Sequence, residues 1–116
     1  MGAFAEVSDI LWRERELLDV LLFKLDQERL LLGEGGENAV RWLARASHEI
    51  DLVIEELRLA DLTRAVEVDA LAAELGLAPA RTLATLAEVA PGPWNDLFAA
   101  HLAAFEALVN QVRAAA

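Results

Sequence analysis

With 116 residues and twenty acids against ten bases, the chain is long enough for one domain and carries a formal charge of −10, the wrong sign for neutralising phosphates; nucleic acid is excluded as an expected partner. Cysteine is absent, which excludes disulfides and thiolate chemistry. A hydrophobic content of 56%, without strand-like alternation or short turn-punctuated runs, makes the expected class all-α.

The first helix is expected from about Glu6 to Leu32. Val7, Leu11, Leu18, Leu21, Leu25 and Leu32 form a three-four seam, interrupted by Glu14 and Glu28. Val20 and Phe23 point away from Leu18 and Leu25, so this helix has two faces in need of cover. Within Met1 to Asp9, Glu6 and Asp9 stand where a signal peptide has basic residues. No apolar run approaches the roughly 20 residues of a membrane span, so neither membrane insertion nor export is expected and the localisation is read as cytoplasmic.

Gly33, Gly35 and Gly36, with Glu34 and Glu37 between and after them, end the first helix, and Asn38 is the expected N-cap of the second. Val40, Leu43, Ser47, Ile50, Ile54, Leu57, Asp61, Arg64, Val68, Leu71 and Leu75 then step by threes and fours. This spacing predicts one helix of about 38 residues, roughly 55 Å long, folded back antiparallel on the first. The two charged positions on its seam predict that contact with helix 1 loosens near residue 61, where Asp61 and Arg64 pair with each other. Gly76 is the expected stop, with Pro79 beyond it.

A short helix from about Thr82 to Val89, capped by the Thr82 side chain, ends at Pro91, Gly92 and Pro93. The last helix, about Trp94 to Ala114, carries Leu97, Phe98, His101, Leu102, Phe105, Leu108, Val109 and Val112 at helical spacing. The expected architecture is an elongated hairpin of two long helices with a short helix and an amphipathic C-terminal helix.

Candidate chemistry is sparse. Neither His48 nor His101 has the Glu-x-x-His or His-x-x-x-His spacing of a helical metal site, so His48 is expected in solvent and His101 partly buried. No metal, cofactor or catalytic residue is assigned, and the glycine loop lacks the strand and the Lys-Ser/Thr pair of a phosphate cradle. A small all-helical mutase of the chorismate mutase type is similar in size. It would need Arg13, Arg15, Lys24 and Arg29 to converge on a dicarboxylate, whereas Glu14, Glu16, Asp26 and Glu28 lie beside them.

Two segments carry a resemblance: LWRERELLDVLLFKLDQERLLL at residues 11–32 and RWLARASHEIDLVI at residues 41–54. With AVEVDALAAELGL at 65–77 and APGPW at 90–94, they resemble the FlgN family of flagellar export chaperones in its actinobacterial form. The resemblance covers nearly the whole chain. It implies a non-enzymatic cytoplasmic chaperone that holds the hook-filament junction proteins FlgK and FlgL before delivery to the type III export gate. Gate docking in better-known members is associated with a tyrosine near the C-terminal end; this chain has no tyrosine, and no residue is assigned to that contact.

Helix-in-groove binding would shield an amphipathic client helix. The expected client surface is Leu97, Phe98, Leu102, Phe105, Leu108 and Val112, with Val20 and Phe23 as a second wall. The same last helix could dock on its own hairpin when empty and exchange for client when loaded. The alternative from another class is a structural or regulatory coiled-coil protein that forms a homodimer through the two-faced first helix.

Overall fold

The computed structural model describes residues 2–76 and 82–116. The described residues form four helices, α1 (Ala3–Glu34), α2 (Gly36–Glu74), α3 (Leu83–Val89) and α4 (Trp94–Ala115), and no strand. The fold is all-α, as expected, in an elongated body of 59 × 24 × 21 Å.

The reversal between the long helices is tighter than the glycine-rich sequence suggests. Helix α1 continues through Gly33 and Glu34, and the chain turns at Gly35 and Gly36, with φ of 74° and 86°. Side chains rarely adopt that backbone, so two adjacent glycines suffice. Asn38 therefore lies inside α2 rather than capping it, and the helix start carries no side-chain cap. At the other end of α2 the expectation holds: the Leu75 N–H donates to the Leu71 carbonyl, and Gly76 takes a φ of 74°. Pro79 falls outside the described residues. Thr82 caps α3, its hydroxyl accepting from the Thr85 N–H at 3.3 Å.

The face that α2 turns to α1 differs from the one read from hydropathy. Ala39, Ala46, Ile50, Val53, Ala60, Val68 and Leu71 are buried and Leu43, Leu57 and Arg64 half-buried, whereas Val40, Ser47, Ile54 and Asp61 are exposed. Positions 43, 50, 57, 64 and 71 belong to both faces. The alternate position shifts by one residue, to Ala39, Ala46, Val53 and Ala60. Small residues admit the neighbouring helix where larger ones hold it off, so packing selects Ala39 over the more apolar Val40 and Val53 over the bulkier Ile54.

Helix α4 runs parallel to α1. Phe4 stacks on Trp94 and Phe98, Trp12 meets His101, and Val112 packs on the cluster of Leu17, Leu21, Ile50 and Val53. The main core joins all four helices: Val7 and Leu11, Val68 and Leu71, Leu83 and Leu86, Phe98 and Phe105. The molecule is thus three helices thick along most of α1. Beyond Val112 it thins to the bare hairpin, roughly 20 Å of α1 from Leu22 onward at 1.5 Å per residue.

Candidate functional site

The expected client surface divides into buried, bordering and opposite residues. Phe98 is 0% and Phe105 8% exposed, both locked into the core by α1 and α2. Leu102, Leu108 and Val112 are half-buried, and Leu97 remains exposed. Two open grooves lie beside this row, both on the side that faces α2. One, of about 400 Å³, lies between α2 and α3 beside Leu102; the other, of about 360 Å³, is walled by Leu18, Ile54, Leu57, Phe105 and Val109. Helix α4 is therefore seated but incompletely covered.

Val20 and Phe23 do not join that surface. At 100° per residue they lie about 160° and 140° round α1 from Leu18, which lines the groove beside α4. Both are exposed, Phe23 at 63%, on the other side of the hairpin.

Three contacts, two polar and one aromatic, hold α4 and the hairpin in register. The first centres on Glu14, one of the interruptions in the α1 seam. Its carboxylate is buried, with Oε1 at 3.1 Å from Nε of Arg64, and lacks the alignment of a hydrogen bond. Burial raises the Glu14 pKa above the ordinary carboxylate value; Arg64 opposes the shift and Asp61 adds to it. Arg64 also pairs with Asp61, as the sequence suggested, and its guanidinium lies 5.7 Å from the Phe105 ring centroid. The helices therefore stay in contact past residue 61. Reflection through Gly35 sets Arg64 opposite Glu6 rather than Glu14, so the position of the turn alone does not give this pairing.

The second contact is at His101, which is 1% exposed and more deeply set than expected. Nη1 of Arg15 lies 3.2 Å from its Nδ1. A guanidinium can only donate, so His101 is the acceptor and is neutral in this arrangement. Trp12 meets the imidazole edge-on at 5.0 Å and carries the Arg15 guanidinium 4.1 Å from its ring centroid. Burial lowers the His101 pKa, and the Arg15 charge lowers it further. The third contact is the aromatic stack of Phe4, Trp94 and Phe98 at the start of α1.

The remaining cations on α1 have separate partners: Arg13 pairs with Glu56, Lys24 with Glu49 and Arg29 with Asp26. Arg13, Arg15, Lys24 and Arg29 thus do not converge as a dicarboxylate site would require. Among the described residues no cluster of His, Asp and Glu could hold a metal, and His48 is exposed. What the site offers is an amphipathic helix held by apolar contacts and a few polar ones, beside open grooves.

A family model for the FlgN protein matches residues 1–116. The chain belongs to the FlgN family. No curated protein and no solved structure matches it significantly. FlgN proteins are chaperones of flagellum biogenesis rather than enzymes, and the described helices fit that role as a surface for other flagellar proteins. Among the described residues no helix is long and apolar enough to cross a membrane. In this FlgN chain the polar contacts at Glu14 and His101 escaped the sequence reading because each joins helices through single residues far apart in sequence.

Proposed function

We propose that this FlgN chain is a cytoplasmic, non-enzymatic export chaperone that binds the hook-filament junction proteins FlgK and FlgL. It keeps an amphipathic client helix from assembling prematurely and presents it for export. The observation that carries this reading is the seating of α4. Its apolar row, Leu97, Phe98, Leu102, Phe105, Leu108 and Val112, follows α1 and α3, with both open grooves along the side of α4 that faces α2. A client helix offering anchors at the same spacing can compete for that seat or pack beside α4. Val20 and Phe23, on the opposite side of the hairpin, form a separate contact.

The test is calorimetry of the purified chain with FlgK and FlgL, each with and without its C-terminal segment, and repeated with Phe105→Asp. Saturable binding that disappears on client truncation and in the variant, while circular dichroism shows the α1 and α2 hairpin still helical, supports the proposal. Undiminished binding by Phe105→Asp overturns the assignment to α4. Absence of binding to either client, with a mass that rises with concentration, favours the self-associating alternative.

A further inference from the structure

The outer face of α2 carries a second helical register, turned away from α1. Leu52, Leu59, Leu62 and Val66 step by seven, three and four, and each is more than half exposed, Val66 at 66%. Arg41, Arg45 and His48 continue the register toward the start of the helix, Asp69 and Ala73 toward its end, and all five are exposed. Glu55 is the one interruption of the apolar stretch, drawn aside by Arg58 at 2.8 Å. Alternate steps of three and four are the spacing of a coiled-coil seam, which keeps one stripe facing a partner helix. The opposite side of α2, through Ile50, Val53 and Ala60, packs on α1, so packing within the chain leaves this stripe uncovered.

The order of residues along the seam selects the occupant. Reflected about residue 57, the seam is complementary to itself: Arg45 falls on Asp69, Leu52 on Leu62, His48 on Val66 and Arg41 on Ala73. Each of these pairings occurs twice when α2 lies antiparallel to its copy about a two-fold axis. A parallel pair in register instead sets Arg41, Arg45, Glu55 and Asp69 each on its own copy, where like charges repel. The remaining charges leave the antiparallel pairing open. Glu55 falls on Leu59, which its methylenes cover while the carboxylate stays on Arg58. Asp51, Glu67 and Glu74, at the borders, reflect onto Thr63, Ser47 and Val40, and Glu37 reflects beyond the end of α2. Glu56 and Arg58 meet their own copies only at the rim, about 80° round the helix from the middle of the seam. There Arg13 holds Glu56 at 3.0 Å and Glu55 holds Arg58. Arg45 pairs with Glu49 at 3.4 Å within the chain, and Glu49 keeps Lys24 at 3.0 Å when Arg45 turns to the copy. The net charges of −10 repel, but beyond about 8 Å that repulsion is screened at physiological salt.

We infer that this chain forms a two-fold antiparallel dimer through the outer face of α2, with Leu52, Leu59, Leu62 and Val66 of each copy at the centre and an Arg45 to Asp69 pair at each end. The interface lies apart from α4 and from Val20 and Phe23 on α1, and it stands whether or not α4 binds the junction proteins.

Analytical ultracentrifugation of the full chain over a range of concentrations tests the dimer. The mass should rise with concentration toward that of two chains. Leu59→Glu and Leu62→Glu, both at exposed positions, should weaken association about tenfold or more with the circular dichroism unchanged. Arg45→Glu and Asp69→Arg should each weaken it about threefold or more. The double variant should recover to within about twofold of the native chain, a recovery that a parallel pair does not give. A mass that stays at one chain throughout overturns the inference, as does a dimer that survives Leu59→Glu or is lost in Phe23→Glu instead. Failure of the double variant to recover overturns the antiparallel pairing. Loss of FlgK or FlgL binding in Leu59→Glu, from a native chain that is a monomer at every concentration, assigns the face to a client and overturns the dimer as well.

Discussion

Glu14 and Arg64 each sit where a helix seam would otherwise carry an apolar residue, and they face one another. The two are not equivalent. Arg64 is about a third exposed and keeps Asp61 as a partner, whereas Glu14 is buried and has Arg64 as its closest cation. Arg64→Met strands the buried carboxylate and is expected to destabilise the fold by about 3 kcal/mol, whereas Glu14→Gln costs clearly less. Urea unfolding measures both, and equal losses would contradict the asymmetry. His101 adds a pH dependence. Its pKa in the fold lies below the ordinary value near 6.5, so the unfolded chain binds the proton more readily. The stabilisation is therefore complete above about pH 6.5 and is lost as pH falls through the lower value in the fold. Glu14 has the opposite sign, its raised pKa favouring the protonated fold as pH drops. Thermal melts of the native chain should decline between pH 7.5 and 5.5, and His101→Leu should flatten that decline. The same slope in both proteins would exclude His101 as its cause.

Among the elements, the Gly35 turn makes the sharpest demand on sequence. Its φ of 74° with ψ of −179° is a backbone essentially confined to glycine. Gly35→Ala should cost about 1 to 3 kcal/mol although no neighbouring atom obstructs the new methyl. Gly33 lies within α1 with open space around it, and Gly33→Ala should stabilise by up to about 1 kcal/mol. Chemical denaturation of the two variants separates conformational strain from helix propensity; shifts of the same sign would refute it. The glycine cluster made the reversal legible in sequence, and the Thr82 cap and the Gly76 stop were legible for the same reason: turn chemistry is local. The α2 register was only half legible. Leu43, Ile50 and Leu57 stand on the seam by either reading, but the choice of Ala39, Ala46, Val53 and Ala60 over Val40, Ser47, Ile54 and Asp61 depends on how closely α1 approaches. The helical spacing of its apolar residues shows that α4 is amphipathic, whereas the partner its apolar face meets is a tertiary fact.

Across the whole molecule, the hairpin is a track about 59 Å long, filled by α4 along one side and left bare at its closed end. Phe98 anchors α4 in the shared core, and Phe98→Ala should cost about 3 to 5 kcal/mol. The central claim is that α4 is the element whose track a client shares, which requires α4 to open more readily than the long helices beneath it. The most direct measurement is hydrogen exchange along the whole chain, alone and saturated with FlgK or FlgL. The account predicts faster exchange in residues 94–115 than in the buried parts of α1 and α2, with the change on client binding concentrated in α4 and its flanking grooves. Protection of α4 equal to that of the hairpin, unchanged by a bound client, would contradict it.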